Sequence, residues 1–154
     1  MGSQSDHIAK WKHNRSFLAT IQDAHCDWMV TVAFYAAVHA VEALFAKDQA
    51  VHEGTHNGRN DLLKQRPRYQ SIWRAFRPLF EASRAARYDC CTGPHPTAGW
   101  VTAEDVKAKF IGQFLDSVER TVIQLLSISR ADFPPLFPAA QPHCRERTRG
   151  EQTD

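Results

Sequence analysis

Residues His52-Glu53-Gly54-Thr55-His56 spell the HExxH pattern by which zinc hydrolases hold a metal between two histidines beside a catalytic glutamate. That chemistry needs both imidazoles on one face of a continuous helix. Gly54 lies inside the string and Asn57-Gly58 follows at once, so a helix should break where the ligands would have to be rigid. No strong third ligand is evident downstream. Elsewhere, the adjacent Cys90 and Cys91 are poorly spaced to chelate with His95 and Cys144. The string is therefore expected to be a loop, and the chain to hold no metal and no other cofactor.

A second signal is electrostatic. Arg59, Lys64, Arg66, Arg68, Arg74, Arg77, Arg84 and Arg87 face only Asp61 and Glu81, a local charge of +6 in a chain whose total is +2. A total that small does not mark a nucleic-acid binder, so any such signal must be local. Arginine suits bidentate contact with phosphate, and Tyr69, Trp73 and Tyr88 are interleaved for stacking. The plain alternative is a solvated face of an amphipathic helix. At helical spacing Ile72, Phe76, Leu79, Phe80 and Ser83 define a buried side, with Arg77 and Arg84 along its edge and Arg87 inside it. A buried arginine needs a partner. Glu42 would be a structural one and a phosphate a functional one.

The third signal is a polar stripe. Trp28, Thr31, Tyr35, His39 and Glu42 recur at spacings of three and four along an otherwise apolar stretch. His39 is either a satisfied core histidine or, with His56 and Arg87, the lining of a pocket for a base or a phosphate. Arg87, His56 and the His39–Glu42 stripe are expected to meet within one side-chain shell.

The elements that must position these residues all read as helices. The 154 residues, 43% hydrophobic and 23% charged, suit one globular domain rather than a disordered chain. A first helix is expected over 6–24, capped by Ser5. A second, capped by Asp27, runs through Lys47 and is apolar on nearly every face, as befits a central element. A short helix over 60–65 and a longer one from Pro67 with a bend near Pro78 should follow. The segment CCTGPHPTAGWV over 90–101 should be a loop. Thr102 with Asp105 then caps a last helix whose stripe includes Val106, Phe110, Phe114, Leu115, Val118, Val122, Leu125 and Leu126. Nothing suggests a sheet, so the expected fold is an all-α bundle of four to five helices over 1–132. Residues 133–154, rich in proline and charge, are expected to be an extended or disordered tail. With no apolar run judged long enough to span a bilayer, no leader pattern and cysteines outside any framework, a cytoplasmic protein with free thiols and no membrane partner is expected.

These parts fall in a telling order. AFYAAVHAVEALFA, with Ala37, Ala40, Glu42 and Ala43, precedes Thr55-His56, the pair Leu62-Leu63, and an aromatic-rich helix ending in Arg87-Tyr88. A Pro-rich loop and a long amphipathic helix complete the series. Over about residues 27 to 126 this resembles the HEPN domain family. The resemblance implies a four- to five-helix bundle that often forms homodimers and binds nucleotide or RNA. Its catalytic members are metal-independent endoribonucleases that use Arg-x4-6-His from each subunit to drive a 2′-hydroxyl onto its own phosphate. Here no arginine has a histidine five to seven positions on; Arg87 to His95 is one residue too far. The expectation is a module that binds a nucleotide or RNA phosphate through Arg59, Arg84 and Arg87, with Tyr35, His39, Glu42, His56 and Tyr88 nearby, without efficient ribonuclease activity. If it is an enzyme, His56 and Arg87 are the expected catalytic pair. A third reading is a protein-interaction module of a toxin–antitoxin-like or defence system, its basic helix meeting an acidic partner.

Overall fold

A computed structural model describes residues 2–52, 54–88 and 102–138, and among these the chain is an all-α bundle with no strand. Five helices follow one another: α1 (Gln4–Leu18), α2 (Cys26–Asp48), α3 (His56–Gln65), α4 (Gln70–Tyr88) and α5. The last is one continuous rod in three parts, Ala103–Asp105, a π-helical stretch Val106–Leu115, and Asp116–Leu126. Helix α2 is the axis: α1 packs along it, α4 and α5 enclose its other sides, and α3 rests on α4. Met29, Phe34, Leu44 and Phe45 of α2 are fully buried against Trp11, Ile72, Phe76, Leu79, Val106 and Phe110. Burial of each such side chain is worth roughly 1.5–3 kcal/mol.

The helix ends depart from expectation for local reasons. Ser3, not Ser5, caps α1: its Oγ accepts the Asp6 N–H at 3.2 Å while the Asp6 carboxylate accepts the Ser3 N–H at 2.9 Å. The same helix stops at Leu18 rather than residue 24, where the Thr20 hydroxyl donates to the Phe17 carbonyl at 2.7 Å. Asp27 is not a cap but lies within the first turn of α2, where its charge suits the helix dipole. Helix α3 begins at His56, four residues earlier than expected, because Thr55 accepts the Gly58 N–H at 3.0 Å. Before it the chain turns through Gly54 at φ +74°, a left-handed conformation that favours glycine. Helix α4 starts after a 3-10 turn, Pro67–Tyr69, and continues through Pro78. That turn is tied to the end of α2, because Tyr69 Oη and Arg68 Nε donate to Asp48 at 2.7 and 2.9 Å. Burial, with the bond to Asp48, pushes the Tyr69 phenol up to about 12.

Thr102 and Asp105 cap α5 with the reciprocal pair of bonds the sequence implies. The stripe Val106, Phe110, Leu115, Val118, Val122 and Leu126 is buried, with Phe114 and Leu125 partly so. The π stretch has no counterpart in the sequence reading. Nor does the chain leave the bundle at Asp132: Phe133 is fully buried and stacks on Trp11 with ring centroids 4.0 Å apart. Proline density favours extended backbone but leaves an aromatic side chain free to pack, so the boundary at 132 falls too early. The expected loop at 90–101 and the end of the tail, 139–154, lie outside the described residues.

One further expectation needs correction. The 26-residue stretch Asp23–Asp48 contains an 18-residue window with a mean hydropathy of 1.7, long and apolar enough to cross a membrane by length and composition. In the bundle 83% of that window is buried by neighbouring helices, as suits a core helix.

Candidate functional site

The polar stripe of α2 runs from solvent into the core. Trp28 is 57% exposed, Tyr35 and His39 are half-buried, and Glu42 is 7% exposed. Thr31 contributes nothing to a site, since its hydroxyl donates back to the Asp27 carbonyl at 2.9 Å.

Glu42 ends the stripe in a buried ion pair. Arg59, on α3, donates through Nε at 2.6 Å and places Nη2 at 2.6 Å from the same oxygen. His52 Nε2 lies 3.0 and 3.1 Å from the two carboxylate oxygens, while its Nδ1 accepts the Gly54 N–H at 3.0 Å. Burial alone would raise the Glu42 pKa, but Arg59 and His52 together outweigh it and hold the carboxyl below its ordinary range. His52 and His56 therefore do not share a helical face. One is a buried loop residue serving Glu42 and the other is the first residue of α3, so the paired helical histidines that the HExxH pattern requires are not formed. Among the described residues, no three His, Cys, Asp or Glu side chains are placed to hold a metal ion.

Arg87 does reach the central helix, though not through Glu42, which Arg59 already occupies. Its Nη1 donates to Tyr35 Oη at 3.0 Å and its Nε to the Ser83 carbonyl at 3.0 Å, with Ser83 Oγ 3.4 Å from Nη2. The guanidinium also lies over the rings of Tyr88, Tyr35 and Phe34, 5.2, 5.6 and 5.9 Å from their centroids. Of its five N–H groups, at most three are engaged by the described residues, and the side chain is only half-buried. No carboxylate pairs with it among the described residues.

His56 joins the two groups. Its ring lies 5.4 Å from Phe34 and 6.3 Å from Tyr35, and its Nδ1 is 3.0 Å from Arg59 Nη1. Arginine only donates, so Nδ1 is the acceptor and the imidazole carries its proton on Nε2. Burial, reinforced by the charges of Arg59 and Arg87, lowers its pKa. The ring is thus an uncharged donor beside a guanidinium with hydrogen-bonding capacity to spare.

Arg87, His56 and the α2 stripe do not gather in one shell; they are linked by a chain of contacts Arg87–Tyr35–His56–Arg59–Glu42. His39 turns away from it. Its Nδ1 lies 3.1 Å from Nδ1 of His7 on α1, and burial, with the charges of His7 and Lys10, lowers its pKa to about 4. Of the other arginines, Arg59 is 6% exposed and committed to Glu42, so it forms the inner wall rather than a surface for ligand. Arg84 is exposed over Phe80, and Tyr88 is 68% exposed beside Arg87. Arg68 and Arg77 are paired with Asp48 and Glu81. Sequence reasoning missed the roles of three participants. His52 was legible only as half of a metal motif, Ser83 only as part of the buried side of α4, and His7 carried no signal beyond being polar on a capped helix.

Comparison with family models, curated proteins and solved structures gives no match, so the site is read from its own geometry.

Proposed function

We propose that this chain is a HEPN-like helical module that binds a nucleotide or RNA phosphate at Arg87, with Arg84, Tyr88, Tyr35 and His56 around it. One observation carries the reading: Arg87 is half-buried, held in place by Tyr35 and Ser83, and still has N–H groups to offer. A cation fixed in this way and lacking a carboxylate suits an anionic ligand. The exposed Tyr88 ring beside it offers a face on which a base can stack. By the same resemblance the module is a homodimer, a state that light scattering measures directly.

A fluorescently labelled single-stranded RNA, titrated at several salt concentrations, tests the ligand. Each phosphate engaged contributes a log–log slope of about −0.7, so contacts from Arg84 and Arg87 give about −1.4. An affinity indifferent to salt, or unchanged in Arg87→Ala, removes the nucleic-acid reading and favours a protein partner.

A second reading, a divergent metal-independent endoribonuclease with His56 and Arg87 as its catalytic pair, is favoured by the lowered pKa of His56, which leaves the imidazole uncharged at neutral pH. Against efficient catalysis stands the Arg59 N–H on Nδ1, which occupies the lone pair a base would use. Release of 2′,3′-cyclic phosphate ends in the presence of EDTA, lost in His56→Ala, would establish the enzyme.

A further inference from the structure

A cleft of about 730 Å³ lies between α5 and the segment 130–138, and it shares no residue with the Arg87 site. One wall is apolar, made by Ile111, Leu115, Leu136 and Phe137. Its helical side is the π stretch, a geometry that is rare and concentrates at functional sites. Gly112 lies on that side, where a Cβ would come within 3.0 Å of the Lys107 carbonyl oxygen. The other side carries Arg130, whose Nη2 donates to Asp116 while Nη1 is buried with no hydrogen-bond partner among the described residues. Asp116 is also shared with Arg120, at 2.9 Å, so two guanidinium groups divide one carboxylate. Arg15, Lys107 and Glu119, which also border the cleft, have partners of their own; Glu104 lies exposed at its edge.

We propose that this cleft binds a small amphipathic carboxylate, with its head on Arg130 and its chain along the apolar wall. The size falls within the ~300–1,000 Å³ of small-molecule pockets. An apolar lining beside a guanidinium with an unengaged N–H matches a molecule with one charged end, and a buried guanidinium N–H that no described residue accepts is a costly state that a carboxylate oxygen relieves. The Arg130 side chain is 34% exposed and borders the cleft, so its guanidinium is within reach of a ligand bound there.

The test uses octanoate as probe, with 1-octanol and acetate as controls, on the full chain by calorimetry and by amide chemical shifts. Octanoate is expected to bind saturably, with shifts confined to residues 107–115, 130 and 136–137. Acetate should bind far more weakly, for lack of the apolar contacts. Arg130→Gln should weaken octanoate about tenfold, the effect of losing one charge-assisted hydrogen bond, and leave 1-octanol unchanged. Ala108→Trp, which fills the cleft from an exposed position, should abolish binding of both while its thermal melt stays that of the parent. Equal affinity for octanoate and 1-octanol would overturn the role of Arg130. Absence of saturable octanoate binding, or shifts centred on Arg87 instead, would overturn the site.

Discussion

Two carboxylates, Glu42 on α2 and Glu119 on α5, are buried against different arginines, and their pKa values shift in opposite directions. Glu42, 7% exposed, receives Nε and Nη2 of Arg59 and a bond from His52, and its pKa falls. Glu119, 1% exposed, receives Arg15 Nη1 and the Trp11 indole N–H at 2.8 Å, yet burial dominates and its pKa rises. Arg15 divides itself between Glu119 and the Pro134 carbonyl, whereas Arg59 directs two nitrogens at one oxygen. A buried ion pair thus stabilises charge only when its donors outnumber the hydration that was lost. The first pair keeps the wall of the Arg87 site rigid. The second fastens α1 and the Phe133 segment to α5.

The largest effect that would break this contrast is expected at Glu42. Glu42→Gln leaves Arg59 buried without a counter-charge, and urea unfolding should show a loss of about 3–5 kcal/mol. Phe133→Ala should cost about 3 kcal/mol, since it empties the space against Trp11. A negligible loss would mean that the segment is not part of the bundle. Glu119→Gln should cost less than either, about 1–2 kcal/mol, because the amide still accepts the Trp11 N–H and Arg15 retains Pro134. A loss equal to that of Glu42→Gln would erase the distinction.

The pH dependence sharpens the same comparison. The folded pKa of Glu42 lies below its ordinary 4.5, so its contribution is complete above that value and disappears as pH falls through the folded pKa. For Glu119 the folded pKa lies above 4.5, so its contribution is complete below that value and lost as pH rises through the folded pKa. Acidifying from neutrality toward 4.5 should therefore stabilise the parent relative to Glu119→Gln. Further acidification should shrink its advantage over Glu42→Gln. The smallest effect is expected at Arg77→Ala, which removes an exposed i,i+4 pair with Glu81 and should change stability by no more than about 0.5 kcal/mol. The same change should leave the RNA affinity nearly intact, since Arg77 is already paired; a large loss would move the binding surface toward the middle of α4.

Much of this molecule was legible along the chain. The apolar run of α2, the stripe of α5 and the Thr102–Asp105 cap are local patterns, because helix formation depends on neighbours three and four residues apart. The same periodicity placed Arg87 on the buried side of α4 and Tyr35, His39 and Glu42 on one face of α2. What periodicity cannot supply is the pairing between helices. Arg59, rather than Arg87, meets Glu42 because Thr55 starts α3 early and turns Arg59 inward, a consequence of one capping bond. His39 meets His7 because α1 lies along α2, and His52 meets Glu42 because Gly54 turns the chain back. Glu119, at the edge of the apolar stripe of α5, is covered by Trp11 and Arg15 of α1, residues more than a hundred positions away in the chain. The sequence by itself determined which residues are helical and which faces are apolar, since both follow from local spacing. Which charges meet, and hence in which direction each carboxyl's pKa is shifted, was decided by the tertiary structure, because partners and lost water depend on residues distant in the chain.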